Sequence, residues 1–322
     1  MKNKKNISVI VLLLLVCLIP MVITNTYTLK IFCNVMLYAI IAMSINLIVG
    51  FSGQLDFGRG AFAALGGYFS AICFTTFGVP FLISFIGGGL FAMLFGAILG
   101  TICRHSSFDY LTLITIGFNE IVRLSIQNLK FLTGGSFGFQ TGRPKIFGFE
   151  FKTHQSMFYF CLVLLVICYI LIHRLTQSKM GRAFKAIRDD SLASSYAGID
   201  VPKYKMYCFT IGSFITGIAG AAMIHYTKYA SPTNYTTDES LIMLQMAILG
   251  GLGSLPGSII GALILVVLPE ISRSFYQYRL LFMGILMVVL MLFAPNGLLG
   301  RGGVKDKLVA YMGKKSGRKE GK

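Results

Sequence analysis

The chain alternates between long apolar runs and short polar segments. Most of the apolar runs approach the roughly 20 residues that an α-helix needs to cross a hydrocarbon core of about 30 Å. No series of ten-residue segments alternates between apolar and polar positions, as the strands of a transmembrane barrel do. The pattern therefore predicts an all-α, polytopic integral membrane protein with about eight to ten transmembrane helices, and ten is the best count.

The first predicted span, Ile7–Ile23, follows a basic start and is not followed by a cleavage site of small residues. We therefore interpret it as an uncleaved helix and not as a signal peptide. The other nine spans are Ile31–Val49, Gly60–Thr76, Pro80–Ile102, Phe108–Asn128, Ser156–Ile172, Met206–Tyr226, Glu239–Gly251, Gly257–Ile271 and Arg279–Ala294. Two of these, Glu239–Gly251 and Gly257–Ile271, are short, and in an alternative interpretation they are the half-helices of one re-entrant element.

The distribution of charge gives this topology an orientation. With the N-terminus inside, nineteen of the 29 Lys and Arg residues fall in cytoplasmic segments and eight fall outside. This asymmetry is typical of membrane proteins, which retain Lys and Arg in the cytoplasm. Both termini are therefore predicted to be cytoplasmic, with one transmembrane domain over residues 1–300 and a basic tail over 301–322. The net charge of +17 follows from this topology and indicates no nucleic-acid partner.

One long charged segment, residues 174–205, interrupts the apolar pattern with seven Lys or Arg and three Asp residues. A hydrocarbon core would reject this charge, so the segment lies in water. Residues that favour a helix follow Gly181. Within them, Phe184 and Ile187 share one helix face and form a small apolar knob. Gly198 can end the helix in a left-handed cap. We interpret the segment as a helix held out for a partner; the alternative is a solvated loop that only carries charge.

Four glycines within residues 50–60 predict a broken helix, because glycine gains the most freedom on leaving one. In lipid, non-helical backbone is tolerated only where protein buries it or where it lines a cavity, and such breaks often form transport sites. One interpretation places Gln54, Asp56, Gly58 and Arg59 on a substrate pathway. The other is a cytoplasmic turn followed by small residues that pack closely against another helix.

Glu120 and Arg123 are three residues apart inside a predicted span and therefore share a helix face. An unpaired charge at the centre of a transmembrane helix costs roughly 2.5–3.5 kcal/mol, so we expect the two side chains to pair. A structural ion pair is the preferred interpretation, and a position on the substrate pathway is the alternative. Glu120 is also the one good acidic candidate for the proton or ion relay that a secondary transporter working alone would need.

The sequence lacks the motifs that would make the chain an enzyme. No G-x-x-x-x-G-K-[ST] motif is present to hold the phosphates of ATP, and neither metal-ligand spacing nor a nucleophile motif occurs. We therefore expect a transport subunit with no catalytic residues, no bound metal and no cofactor of its own.

Five segments resemble a known family in their order and spacing. They read GFSGQLDFGRGAFAALGGY at 50–68, YLTLITIGFNEIVR at 110–123, LTGGSFG at 132–138, GRAFKAIRDDSLASSYAGIDVPKYK at 181–205 and ILGGLGSLPGSIIGALILVVLPE at 248–270. Together they resemble the permease subunits of bacterial ABC importers for branched-chain amino acids, of the type in which two related permeases are paired. The resemblance extends from about residue 50 to residue 300.

The resemblance implies a membrane-spanning permease of an ATP-driven importer in the bacterial plasma membrane. It implies four kinds of contact: a second homologous permease, two ATP-binding subunits that use the ATP, an extracytoplasmic binding protein that delivers the amino acid, and membrane lipid. Related permeases carry urea, short amides or sugars, so another small solute, such as a different amino acid, is an alternative substrate. An ion-coupled secondary transporter is the more distant alternative.

The resemblance also assigns a role to the charged segment, which in this family docks on the ATP-hydrolysing subunit. The residues to which this coupling role carries over are Gly181, Arg182, Ala183, Phe184, Ile187, Arg188 and Gly198. The sequence departs from the family where an Arg-Glu-Asp-Glu-like run is common, because residues 188–191 read Arg-Asp-Asp-Ser. This departure leaves the docking role in place but implies that the specificity for the docking partner differs from that of the family.

Overall fold

The protein is described here from a computed structural model. The structure describes residues 25–104, 108–142, 144–146, 149–150, 153–271 and 297–300, together with Pro20 and positions 281, 284, 285, 287–289 and 292. The predicted first span Ile7–Ile23 apart from Pro20, most of the predicted span Arg279–Ala294 and the basic tail 301–322 lie outside the described residues.

The described part of the chain is mainly helical. Its α-helices are α1 Thr26–Ile45, α2 Arg59–Thr75, α3 Phe81–Cys103, α4 Phe108–Asn128, α5 Lys130–Thr133, α6 His154–Gln177, α7 Lys179–Asp189, α8 Ser191–Tyr196, α9 Val201–Thr227, α10 Thr237–Gly250 and α11 Leu255–Ile271. A π-helix, Asn46–Phe51, continues α1, and short 3-10 turns cover Gly135–Phe137 and Pro232–Tyr235. The strands have two residues each: β1 Phe139–Gln140, β2 Lys145–Ile146, β3 Phe149–Glu150 and β4 Tyr229–Ala230.

These helices confirm the predicted all-α, polytopic membrane fold. In the described part of the chain, four helical stretches are long and apolar enough to cross a membrane: Thr26–Phe51, Phe81–Cys103, His154–Gln177 and Val201–Thr227. Helix α4 has a spanning length of 21 residues and carries polar side chains along one side. The chain is therefore a multi-pass membrane protein.

Helix α9 lies at the centre of the bundle and packs against α1, α2 and α3. Small residues bring the backbones close: a Cβ added to Gly66 would lie 2.4 Å from the Cα of Gly217, and one added to Gly220 would lie 2.0 Å from the carbonyl oxygen of Ala63. Lipid tails are as apolar as the side chains, so the hydrophobic effect does not drive helices together in lipid. Their association depends on such close packing instead. The outer face of α3 carries exposed apolar side chains, among them Leu82, Ile86, Leu90, Leu94, Ile98 and Ile102.

Helices α10 and α11 are short and form a hairpin. At 1.5 Å per residue they measure about 21 Å and about 26 Å, less than the thickness of a hydrocarbon core. A turn over residues 251–254 joins them, and a Cβ added to Gly250 would lie 2.1 Å from the carbonyl oxygen of Gly257. This geometry supports the interpretation of the two segments as half-helices of one element.

The loops gather at the two ends of the bundle, as alternating spans require. At one end, β1 pairs antiparallel with β4, with Phe139 opposite Ala230. At the other end, Arg188 of α7 reaches the carbonyl oxygen of Gly50, and a Cβ on Gly50 would lie 2.6 Å from the backbone nitrogen of Gly253. We call this second end the inner end.

The charged segment contains two helices where the sequence predicted one. Helix α7 ends at Asp189, and Asp190 has an extended backbone. The carboxylate of Asp190 accepts hydrogen bonds from the backbone N–H groups of Leu192 and Ala193 and so begins α8. The expectation of a single helix was wrong. An Asp side chain is favoured at the N-cap of a helix and disfavoured in a helix interior, so Asp190 ends one helix and begins the next.

The start of the helical region in the charged segment differs from its prediction, and its end agrees with it. The expectation that Gly181 precedes the helix was wrong, since α7 begins at Lys179 with Ser178 as its cap. Gly198 has the predicted left-handed backbone, with φ at +83°. The N–H groups of Gly198 and Ile199 bond back to the carbonyls of Ser195 and Ser194, which closes the end of α8.

The apolar knob predicted at Phe184 and Ile187 faces inward, so its expected exposure was wrong. Phe184 is fully buried, Ile187 and Ala183 are buried beside it, and the Phe184 ring lies 6.2 Å from the ring of Tyr204 in α9. The apolar side of α7 is thus covered by the chain's own core. The exposed apolar side chains of the segment lie in α8 instead: Leu192 is 65% exposed and Tyr196 is 84% exposed.

Candidate functional site

The first helix break is an irregular coil over residues 53–58, between the π-helix and α2. Gln54 and Asp56 are buried within it. The Gln54 side chain donates to the hydroxyl of Ser52 at 2.7 Å and to the carbonyl oxygen of Lys205 at 3.3 Å. The N–H of Gly58 donates to the Asp56 carboxylate at 2.8 Å. The side chains of Gln54 and Asp56 therefore find hydrogen-bond partners inside the protein.

Asp56 and Arg59 form an ion pair through Nε and Nη2 of the arginine. Both side chains are buried, and the guanidinium lies against the rings of Phe62 and Phe209, 4.8 Å and 4.9 Å from their centroids. Its Nη1 donates to the Thr216 hydroxyl at 3.5 Å. The pair therefore joins the coil to α2 and α9 inside this chain, and its predicted place on a substrate pathway stays a prediction.

A chain of polar contacts leads from the start of α2 to α4. The N–H of Gly60 donates to the hydroxyl of Ser240 at 2.9 Å, and that hydroxyl lies 3.4 Å from the side-chain oxygen of Asn119. The Asn119 amide donates to the Thr237 hydroxyl at 3.3 Å. Buried polar side chains are costly at this depth and are retained where they satisfy one another or serve a function.

The network ends at the predicted pair of Glu120 and Arg123, which the structure brings together. Arg123 donates through Nε to Glu120 at 2.8 Å, and Glu120 accepts a further hydrogen bond from the Thr237 hydroxyl at 2.6 Å. The two side chains are 35% and 26% exposed, in contrast to the buried Asp56–Arg59 pair. Of the two ion pairs, this one faces out of the chain.

Asn46 of the π-helix joins the first break to the second. Its amide nitrogen lies 3.2 Å from the Gly251 carbonyl oxygen, 3.0 Å from that of Ser254 and 2.6 Å from the Ser258 hydroxyl. Its side-chain oxygen accepts from the N–H of Gly253 at 2.7 Å. One fully buried side chain thus satisfies donors and acceptors that the turn between α10 and α11 leaves outside the helices.

Helix α7 of the charged segment contacts both breaks. Arg188 donates to the carbonyl oxygen of Gly50, and its Cγ would lie 3.3 Å from a Cβ on Gly53. The same guanidinium would lie 3.2 Å from a Cβ on Gly253 in the second break. Lys185, one turn earlier, donates to the carbonyl oxygen of Thr176 at the end of α6. A displacement of α7 would therefore move both irregular segments.

The sequence-predicted residues fall into three groups in the structure. Gln54, Asp56, Gly58 and Arg59 lie together at the first break, Glu120 and Arg123 lie on the outer side of α4, and the coupling residues lie in α7 and after α8. The polar residues that connect these groups were not predicted from the sequence: Asn46, Asn119, Thr237 and Ser240. A signal was present at Asn46 and Asn119, since each is an amide side chain inside an apolar run.

Comparison with protein families identifies a relation over most of the chain. Residues 27–294 match the family described as the permease component of the branched-chain amino acid transport system. The matched range includes both helix breaks, the polar network and the charged segment.

Individual relatives agree with this match. The chain is 33% identical over 320 residues to the high-affinity branched-chain amino acid transport system permease protein LivM of Escherichia coli K12, covering 92% of this chain and 75% of the relative. It is 33% identical to LivM of Salmonella typhimurium, over 82% of this chain and 68% of the relative. It is 26% identical to the permease LivH of the same organism, over 82% and 91%. No solved structure matches the chain.

The Asn46 contacts give a testable prediction. Asn46→Ala removes the acceptor of the Gly253 N–H, and an unsatisfied buried group costs about 1–3 kcal/mol. Hydrogen–deuterium exchange of residues 251–254 should therefore accelerate about tenfold or more. Asn128→Ala is the matched control, because that amide is exposed and bonds only to its own helix. Equal exchange of the 251–254 segment in both variants would show that Asn46 does not hold the second break.

Proposed function

Because this chain belongs to the family of branched-chain amino acid transport permease components, we propose that it is a permease subunit of an ATP-driven importer for branched-chain amino acids. The family match over residues 27–294 is the observation that carries the proposal. In this assembly the chain pairs with a second homologous permease, and two ATP-binding subunits supply the energy. An extracytoplasmic binding protein delivers the substrate.

The comparisons support a pair of permeases and this substrate class. Both LivM and LivH relatives are named as permease proteins of a high-affinity branched-chain amino acid system, and this chain is more similar in sequence to LivM than to LivH. We propose that the inner end of the bundle, with the charged segment, faces the cytoplasm of a bacterial cell. The excess of Lys and Arg on that side supports this orientation.

We propose that the outer face of α4 is the side of the subunit that faces the substrate pathway. Glu120 lies about 18 Å from the start of this helix and about 12 Å from its end, at 1.5 Å per residue. A charged pair exposed to lipid at that depth would be costly, so protein or a water-filled path covers it. Gly117 on the same face leaves open space beyond its Cα, which permits a close approach of the second permease.

We assign docking on the ATP-binding subunit to α8. Leu192 and Tyr196 are four residues apart, lie on one helix face and are the exposed apolar side chains of the charged segment. A short helix with such anchors fits a groove in a partner. Movement of α8 would pass through α7 to Arg188, and from there to the backbone of Gly50 and the two breaks.

Transport by the complete assembly tests the proposed function. We expect vesicles that contain both permeases and the ATP-binding subunits to take up labelled valine when ATP and the loaded binding protein are supplied. Urea and acetamide should not compete. Uptake that follows a proton gradient without ATP would establish the secondary transporter instead, and uptake of urea without valine would replace the proposed substrate.

The two ion pairs should respond differently to neutralisation. Glu120→Gln leaves Arg123 without its charge partner on the pathway face, so valine uptake should fall about tenfold with an unchanged yield of folded protein. Asp56→Asn removes one partner of a buried pair, which costs about 3–5 kcal/mol, so the yield itself should fall. Size-exclusion chromatography and uptake measured on the same preparations separate these effects. Normal uptake by folded Glu120→Gln would remove this pair from the pathway.

Docking through α8 predicts loss of the ATP-binding subunits from the purified complex. Leu192→Asp places a charge in the proposed apolar contact, and loss of such an anchor reduces binding about thirtyfold or more. Copurification with a tagged permease measures the effect. Leu132→Asp is the control, since that side chain is also exposed but lies at the opposite end of the bundle. Retention of the ATP-binding subunits by Leu192→Asp would place the docking surface elsewhere.

A further inference from the structure

A cavity of about 480 Å³ lies at the inner end of the bundle, beside the charged segment. Its walls come from the end of α6, from α7 and from the turn between α10 and α11. One wall is apolar and includes Phe51, Ile248, Leu252 and Leu255. The rest of the lining includes charged and polar side chains, and Lys185 Nζ lies 5.6 Å from the centroid of the Phe51 ring, so the cavity is amphipathic.

Two cationic side chains line the cavity, Lys185 and Arg188. Each has one contact with a backbone carbonyl: Lys185 with Thr176 at 3.1 Å, and Arg188 with Gly50. An ammonium group has three donors and a guanidinium has five, so both retain donors for a ligand. Neither forms an ion pair with any residue in the described part of the chain. Asp189 also lines the cavity and carries one carboxylate, which leaves the cations in excess.

The cavity lies at the depth of lipid headgroups. Its lining residue His173 is about 28 Å along α6 from the first residue of that helix, at 1.5 Å per residue, close to the thickness of a hydrocarbon core. The rings of Tyr169 and His173 stack there with centroids 5.9 Å apart. Rings with an apolar body and a polar tip are typical of the membrane interface.

The surface beside the cavity is suited to acyl chains. On α6, above His173, Val163, Ile167 and Ile170 are exposed at about one-turn spacing and form an apolar strip. The cations and the apolar strip thus occur in the order in which an anionic phospholipid presents its phosphate and its hydrocarbon. Basic pockets between transmembrane helices on the cytoplasmic side are typical binding sites for such headgroups.

We propose that this cavity binds the headgroup of an anionic phospholipid, whose phosphate contacts Lys185 and Arg188. The leaflet assigned to the site rests on the orientation given under the proposed function, but the binding itself does not require transport. A bound headgroup would bridge α7 and the turn over residues 251–254, and so add to the contact between Arg188 and that turn. The lipid would thereby regulate how a displacement of α7 reaches the breaks.

The test measures lipid retention by the purified complex in the absence of ATP and substrate. The full-length permease complex is placed in nanodiscs of phosphatidylcholine with a small fraction of phosphatidylglycerol, and retained lipid is counted by native mass spectrometry. Lys185→Gln with Arg188→Gln should weaken phosphatidylglycerol retention about thirtyfold, because each basic residue at the interface contributes about fivefold. Lys179→Gln with Arg182→Gln is the matched control, since these cations belong to the same helix and do not line the cavity.

A second variant separates the site from misfolding. Leu252→Trp fills the cavity without changing charge, and it should also release phosphatidylglycerol while phosphatidylcholine retention stays unchanged. Equal retention by the two charge variants would overturn the proposal, as would normal retention by folded Leu252→Trp. Release of the lipid by millimolar inorganic phosphate would assign the site to a soluble anion instead. Since no arm uses uptake, failure here is distinguishable from failure of the proposed transport function.

Discussion

Where a helix is interrupted, backbone N–H and C=O groups lose their helical partners and need new ones, and this constraint determines the inner half of the protein. Two helices are interrupted there, at residues 53–58 and 251–254. The amide of Asn46 satisfies the second interruption and ties it to the first, while the Asp56–Arg59 pair ties the first to α2 and α9. Buried side chains thus supply hydrogen bonds that the helices no longer provide at the two interruptions.

Two ion pairs with the same three-residue spacing serve different purposes because their surroundings differ. Asp56 and Arg59 are enclosed by aromatic rings and hydroxyls of this chain, so removing either leaves a buried charge. Glu120 and Arg123 are partly exposed on α4, and their remaining contacts go to Thr237. Hydrogen bonds through Asn119 and Ser240 connect the two regions. A change at the outward-facing pair therefore has a short polar route to the start of α2.

The charged segment has two sides with different surroundings. Its inner side, with Phe184, Ile187 and Arg188, belongs to the chain's own core and to the two breaks. Its outer side, with Leu192 and Tyr196, has no cover within the described residues. A partner that binds the outer side would act on the breaks through the inner side, and a lipid headgroup between α7 and the second break would modulate that action.

The sequence by itself determined the membrane class, the helical fold and the break at residues 50–60, because apolar run length, charge asymmetry and glycine content are local properties. It also determined that Glu120 and Arg123 pair, since three residues along a helix suffice. The inward direction of Phe184 was decided by tertiary structure, because spacing shows that two residues share a face but not what covers that face. The same is true of Asn46: its partners lie more than 200 residues away in sequence, and only the packing of α1 against the α10–α11 hairpin brings them together.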